Sequence, residues 1–150
     1  VLLTLEPVYK RTAFQIHAEL EDGIAMDSFP GALSQILSNI INNAIIHGFD
    51  GREQGVMHLV TRALNQTDVE IIFSDDGIGI PQEHIHRVFD PFFTTKFGQG
   101  GSGLGLNIVY NLVNDVLGGS MTLQSELGHG TSFRLLIPKI APHKTIVMQA

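Results

Sequence analysis

Three asparagines stand close together in an apolar, helix-like segment: Asn39, Asn42 and Asn43 in NIINNA. Asn39 and Asn43 are four residues apart, so on a helix they share one face. Asparagine is a mediocre helix former, and its repetition asks for a reason. One reading is a solvated face. The other is a set of amide oxygens for a hard cation such as Mg²⁺, which takes oxygen ligands and is usually held by few protein groups plus substrate phosphates. A second cluster, IIFSDDGIGIP, puts Asp75 and Asp76 at the end of an apolar run, followed by Gly77 and Gly79. A carboxylate there, beside glycines that admit a flat ligand, suits an exocyclic amine. A plain Asp-Gly turn is the alternative. The alternating Asp ligands and closing Glu of a Ca²⁺ loop are missing.

A third feature is the run GQGGSGLG at 98–105, which leads straight into LNIVYNLV. A GxGxxG match exists at Gly98, Gly100 and Gly103, but that fingerprint needs a preceding strand and an acidic residue about twenty positions on. Its context fails here, and there is no Walker Lys-Ser/Thr pair. The more useful register is Gly101, Gly103 and Gly105 followed by helix, where backbone amides can hold phosphate oxygens. Gly98 and Gly100 then read as hinges of a lid over that site.

These residues need elements to position them. AFQIHAEL alternates as a half-buried strand, with Phe14, Ile16, Ala18 and Leu20 on one face. GIAMD reads as a short second strand able to pair with it. Leu33, Ile36, Leu37, Ile40, Ile41, Ala44 and Ile45 follow helical spacing after a Ser-Phe-Pro start at Ser28–Pro30, and Gly48 and Gly51 close that helix. Strands over Val56–Leu64 and Val69–Ser74, joined at Asn65–Thr67, predict an antiparallel hairpin. Pro81–Val88 reads as a short helix, FDPFFTTKFGQGGSG as a long loop, and Ile108–Leu117 as a second long helix capped by Gly118-Gly119. SMTLQS and TSFRLLIP are final strands around ELGHG. The expected fold is α+β, a two-layer sandwich with helices covering one face of a mixed, largely antiparallel sheet.

The 150 residues fit one domain with a real core. We expect residues 1–138 to form it and 139–150 to be a C-terminal tail or linker. A net charge of −6 with only nine Lys and Arg argues against general nucleic-acid binding. It leaves room for an anionic small ligand at a local site. The absence of cysteine removes disulfides and thiolate metal sites. No apolar run approaches the ~20 residues of a membrane span, so no direct membrane contact is expected. The opening VLLTLEPVYK has neither a Met nor a signal-peptide pattern, as in a piece of a longer protein.

In sequence order, NIINNA (39–44), DDGIGI (75–80), FDPFFTTK (89–96), GSGLGL (101–106) and GHGTSF (128–133) resemble the asparagine box, first glycine box, phenylalanine box, second glycine box and closing Gly-Thr-x-Phe segment of sensor histidine kinases. The resemblance is to their ATP-binding catalytic domain, in the superfamily of gyrase, heat-shock chaperone, histidine kinase and MutL ATPases. It implies a Bergerat-type ATP-binding fold with Mg-ATP as ligand. Asn43 then matches the metal asparagine, and Asn39 a second polar position near the phosphates. Asp75 matches the aspartate on the adenine amine, with Gly77, Gly79 and Ile80 shaping that pocket. His47 falls where an aromatic or His often lies against nucleotide. Phe89, Thr94, Thr95 and Lys96 belong to the phenylalanine box and lid, and Lys96 is expected at a phosphate. Gly101, Ser102, Gly103, Leu104, Gly105 and Leu106 belong to the second glycine box. Thr131 matches a threonine near the adenine, acting through water. One departure stands out: the family commonly places Lys three residues after the metal asparagine, where this chain has Ile46.

ATP-hydrolysing members carry Glu one turn before the metal asparagine, as the base that activates water. This chain has Asn39 there, which takes no proton at neutral pH. A neutral histidine acceptor is already nucleophilic, so positioning and charge neutralisation carry most of the transfer. The resemblance therefore implies a protein-histidine kinase. None of the seven histidines has the family acceptor context, His followed by Glu or Asp and then Pro. HIH at 84–86 reads as surface histidines facing different ways. The implied partners are a histidine-containing dimerisation domain of the same full-length protein and a downstream response-regulator receiver domain. The expected location is cytoplasmic, including the cytoplasmic part of a membrane-anchored sensor. Alternatives are a degenerate nucleotide- or partner-binding module and a serine-phosphorylating kinase of the anti-sigma type.

Overall fold

The computed structural model describes residues 14–94 and 105–142. Strand β1 (Phe14–Leu20) is followed by helix α1 (Pro30–Asn43), which loosens into a π-helical turn at Ala44–Gly48. Strands β2 (Gly55–Ala63) and β3 (Asp68–Asp75) come next, then the short helix α2 (Gln82–Ile85). Helix α3 (Gly105–Asn111) continues into a second π turn, Leu112–Val116, before β4 (Ser120–Glu126) and β5 (Gly130–Pro138). The strands form one sheet in the order β1-β2-β3-β5-β4. Only β1 and β2 run parallel; the remaining pairings are antiparallel. The expected α+β sandwich with a mixed, largely antiparallel sheet is the observed one.

Strand alternation sorts the two sheet faces. Met57, Leu59, Val69, Ile71, Phe73, Phe133, Leu135 and Ile137 face the core. They meet Ile36, Leu37, Ile40 and Ile41 of α1, and Leu106, Val109, Val113 and Leu117 of α3 and its continuation. The opposite face is polar. His17 and His58, paired in register, stack there with ring centroids 5.4 Å apart. Glu70 lies between Arg62 and Arg134, each at 2.5 Å, and the two guanidiniums cover it almost completely.

Several sequence expectations need correction. GIAMD is not a strand paired with β1. Gly23 does turn the chain, with φ 78°, but beyond it only Asp27 makes a bridge, to Ile140. β1 instead pairs with β2, and α1 supplies the long crossover that parallel neighbours need. Phe14 and Ile16 are half-buried, whereas Ala18 and Leu20 are exposed. The Ser-Phe-Pro start does open α1, at Pro30. Phe29 occupies the cap position with Pro30 behind it, and the Ser28 hydroxyl is buried without a partner among the described residues. α2 is shorter than the Pro81–Val88 span, because Pro81 is its extended cap rather than part of its first turn.

Residues 139–142 pack against the fold. Lys139 N–H donates to Thr67 O at 2.8 Å, and its carbonyl accepts Asp27 N–H at 2.7 Å. Ala141 is fully buried. A Cβ on Gly118, whose φ is +71°, would lie 2.6 Å from the Pro142 ring.

Candidate functional site

The core face of the sheet changes character at one end. Leu59, Phe73, Phe133 and Leu123 form an apolar row in register across β2, β3, β5 and β4. The row at the sheet end is Met57, Asp75, Thr131 and Ser125. Three adjacent strands therefore present polar side chains side by side, on the face that otherwise builds the core. Asp75 and Thr131 are each 8% exposed.

The two aspartates of the DDG sequence separate sharply. Asp76 is exposed; its carboxylate accepts Val56 N–H at 2.9 Å and lies 3.7 Å from Arg52. Arg52 also donates to the Asp76 carbonyl. Asp76 thus fastens the loop to the start of β2. Asp75 points inward as the last residue of β3, and its Oδ1 accepts Gly77 N–H at 2.9 Å. Burial pushes the Asp75 carboxyl above the usual range, against the pull of the Gly77 and Thr131 backbone amides; Asp76 adds to the rise and Arg52 opposes it. The result is a carboxylate poorly compensated for its lost hydration, ready for a donor from outside.

Main chain walls this carboxylate. The π turn after α1 brings Gly48 so close that a Cβ there would lie 3.3 Å from Asp75 Oδ1. Such π turns interrupt helices frequently at functional sites. The Gly48 carbonyl accepts Ile78 N–H at 2.8 Å. A Cβ on Gly77 would sit 2.3 Å from that carbonyl, and one on Gly79, with φ +79°, 2.2 Å from Glu126 O. The chain's own backbone therefore demands glycine at 77 and 79. The β4–β5 turn clasps the same loop, because Gly128 N–H donates to Ile78 O at 2.8 Å and Ile80 N–H donates to Ser125 Oγ at 2.7 Å.

Helix α1 carries the asparagines. Asn39 donates to Gly105 O at 3.4 Å, a long bond linking α1 to the start of α3. Asn43, half-buried, is the last residue before the π turn. Among the described residues no hydrogen bond engages its amide, whose oxygen suits a hard cation. His47 is half-buried within the π turn. The phenylalanine box is fastened to α3: Phe89 O accepts a hydrogen bond from Asn107 at 3.1 Å, and its ring lies 5.4 Å from that of Tyr110. Phe93 is gripped by Arg87 at 4.6 Å and meets the His84 ring edge-on at 5.2 Å. Thr94 is half-buried.

Asp75, Gly77, Gly79, Ile80 and Thr131 are thus brought together at the sheet end. Leu106 instead belongs to the core, at 8% exposure. A Cβ on Gly105 would meet nothing within 4 Å, so no steric demand explains that glycine. Thr95, Lys96, Gly101, Ser102, Gly103 and Leu104 lie outside the described residues. Sequence reasoning missed two contributors. In the sequence Gly48 reads only as a helix stop, and Ser125 only as strand. The signal for Ser125 was its place two residues inside the turn leading to Thr131, polar on a face otherwise apolar.

A mixed sheet backed by helices, with a buried aspartate at its end and an asparagine-bearing helix beside it, defines an ATP-binding catalytic domain of the histidine-kinase kind. The chain belongs to the family described as Histidine kinase-, DNA gyrase B-, and HSP90-like ATPase, which residues 30–141 match. It is 36% identical over 150 residues to the autoinducer 2 sensor kinase/phosphatase LuxQ of Vibrio vulnificus, covering 91% of this chain and 17% of that protein. It is 38% identical over 109 residues to sporulation kinase E of Bacillus subtilis, covering 73% and 14%. The chain therefore spans less than a fifth of the length of these relatives. Among solved structures, the nucleotide-free catalytic domain of histidine kinase ThkA superposes with a TM-score of 0.76 at 27% identity, covering 92% of this chain and 88% of that one. Full-length ShkA in complex with AMPPNP superposes with a TM-score of 0.72 at 28% identity, covering 91% and 28%. Among the described residues, no helix is long and apolar enough to cross a membrane.

Proposed function

We propose that this chain is the kinase core of a two-component sensor. It binds Mg-ATP and donates the γ-phosphate to a histidine on a separate dimerisation domain of the same full-length protein. A response-regulator receiver domain is the downstream partner. The observation that carries this reading is Asp75: a buried, under-compensated carboxylate at the sheet end, walled by Gly48 and Gly77, suited to the adenine amine. Among the described residues no hydrogen bond engages the Asn43 amide, whose oxygen fits a hard cation. Asn43 would hold Mg²⁺, which would supply neutralisation of the phosphate charge. Asn39 supports transfer over hydrolysis, since an amide takes no proton from water. With Ile46 where the family commonly has Lys, phosphate contact leans on Lys96, on lid amides and on Mg²⁺. Residues 1–138 form the catalytic unit and 139–150 its C-terminal tail or linker, whose Lys139 and Ala141 bond to the unit; the cytoplasm is the compartment that supplies its ATP.

Calorimetric titration with ATP, with and without Mg²⁺, tests this for the wild type and for Asn43→Ala. Mg²⁺-dependent binding that the substitution weakens about tenfold or more supports the reading. Adding a helical acceptor domain in trans should then yield phosphate stable to alkali and labile to acid. The second reading, a degenerate partner-binding module, draws on Ile46. It gains if the wild type binds no ATP, or if Asn43→Ala changes nothing.

A further inference from the structure

Among the described residues Ser125 Oγ has three polar neighbours: Ile80 N at 2.7 Å, Gly130 O at 2.9 Å and Thr131 Oγ1 at 2.8 Å. A serine hydroxyl has one proton and two lone pairs. The Gly130 carbonyl can only accept, so it takes the Ser125 proton. The Ile80 N–H can only donate, so it fills one lone pair. The remaining lone pair faces Thr131, whose hydroxyl must donate to it. The Thr131 proton is thereby turned toward β4, away from Asp75, and Thr131 presents lone pairs to the site. Asp75 lies next to Thr131 in register across β3 and β5 and, when ionised, is also acceptor-only.

We infer that Ser125 is a positioning residue that fixes the Thr131 hydroxyl as an acceptor, so that the Asp75–Thr131 pair distinguishes a 6-amino from a 6-oxo purine. The inference rests on the nucleotide reading of Asp75 given above. An amino group offers two N–H donors to two acceptors. A 6-oxo group sets a carbonyl against them, and buried acceptors left facing an acceptor are strongly disfavoured. Without the Ser125 hydroxyl, the Thr131 proton is free to swing toward the ligand, and the site tolerates either group. Ser125 also anchors the Asp-Gly loop through Ile80, so the test must separate selectivity from loop support.

Calorimetry with ATP and with ITP, both with Mg²⁺, provides that separation. The wild type should prefer ATP. Ser125→Ala should cut the ATP-to-ITP preference about tenfold, Ser125→Thr should restore it, and Thr131→Val should lower it as well. In a Thr131→Val background, Ser125→Ala should leave the ratio unchanged. A merely structural role would weaken both nucleotides by one factor and leave the ratio intact, which overturns the inference while sparing the nucleotide reading. If the wild type binds neither nucleotide, both fall. Should Ser125→Ala not fold, judged by its thermal melt, Ser125→Thr and Thr131→Val decide: an unchanged ratio in Thr131→Val overturns the inference.

Discussion

Ile78 N–H donates to the Gly48 carbonyl at 2.8 Å, joining the π turn that ends α1 to the loop that follows Asp75. The asparagine helix and the aspartate loop are thus one mechanical unit, held by main chain. Gly77 sits in the seam, where a Cβ would come 2.3 Å from the Gly48 carbonyl and 2.8 Å from Asp75 Oδ1. Gly77→Ala should destabilise the domain by about 1–3 kcal/mol, the usual cost of forcing an extra methyl into packed surroundings. Gly31→Ala is the control, since a Cβ there meets nothing within 4 Å. Urea denaturation that ranks the two variants equally would refute the seam.

Asp75 bears on folding and on the proposed nucleotide binding. Burial raises its pKa above the unfolded value, so its ionisation opposes folding above that unfolded value, and the penalty is absent in acid. Asp75→Asn should leave the neutral-pH melting temperature unchanged or higher, with the difference vanishing in acid. The same variant should bind ATP about tenfold or more weakly. In the wild type, affinity should fall as pH drops through the raised pKa, because a protonated carboxyl is a poorer acceptor. An affinity that stays flat from neutral pH down into the ordinary carboxylate range would count against Asp75 as the amine acceptor.

Glu70 gives the opposite sign on the opposite face. The Arg134 guanidinium, with Arg62 beside it, holds the Glu70 carboxyl below the usual range despite its burial. A depressed carboxyl adds stability above its unfolded pKa and loses it as pH falls through the folded value. Glu70→Gln should therefore lower stability at neutral pH and match the wild type in strong acid. Thermal melts across pH check this; a deficit that persists unchanged into acid would mean that packing, not charge, is at stake.

Asn107 ties the phenylalanine box to α3 through its 3.1 Å bond to Phe89 O. Asn107→Ala should cost about 0.5–1.5 kcal/mol and speed hydrogen exchange in residues 89–93 more than in β3. Uniform acceleration throughout the domain would show that the bond stabilises globally, not locally.

The periodic elements were legible because their signals are local. Ile36, Leu37, Ile40 and Ile41 repeat at helical spacing, and the last two strands appear within a residue of their expected bounds. The site residues Asp75 and Thr131 were reached through motif resemblance, yet their adjacency is a matter of register between strands separated by two helices. β1 misled because Asp22-Gly23 looks like a hairpin turn. Its true partner lies beyond α1, and no local pattern announces a parallel pairing. Gly48 was hidden for a similar reason: a helix-stopping glycine and a glycine pressed against a carboxylate read alike until the loop from β3 folds back. The Ser125 hydroxyl gains its role only from three groups, one in the loop after β3 and two in β5.

The wall beside Asp75 has a pharmacological consequence. A small molecule shaped to the peptide groups of Gly48, Gly77 and Gly79 would rest on contacts that no exchange of side chains removes. Substitution at Gly77 or Gly79 drives a Cβ to within 2.3 Å or 2.2 Å of backbone oxygen, so resistance there would be bought with the fold itself. Escape would narrow to Asp75, Thr131 and Ser125, the positions through which the proposed nucleotide is read.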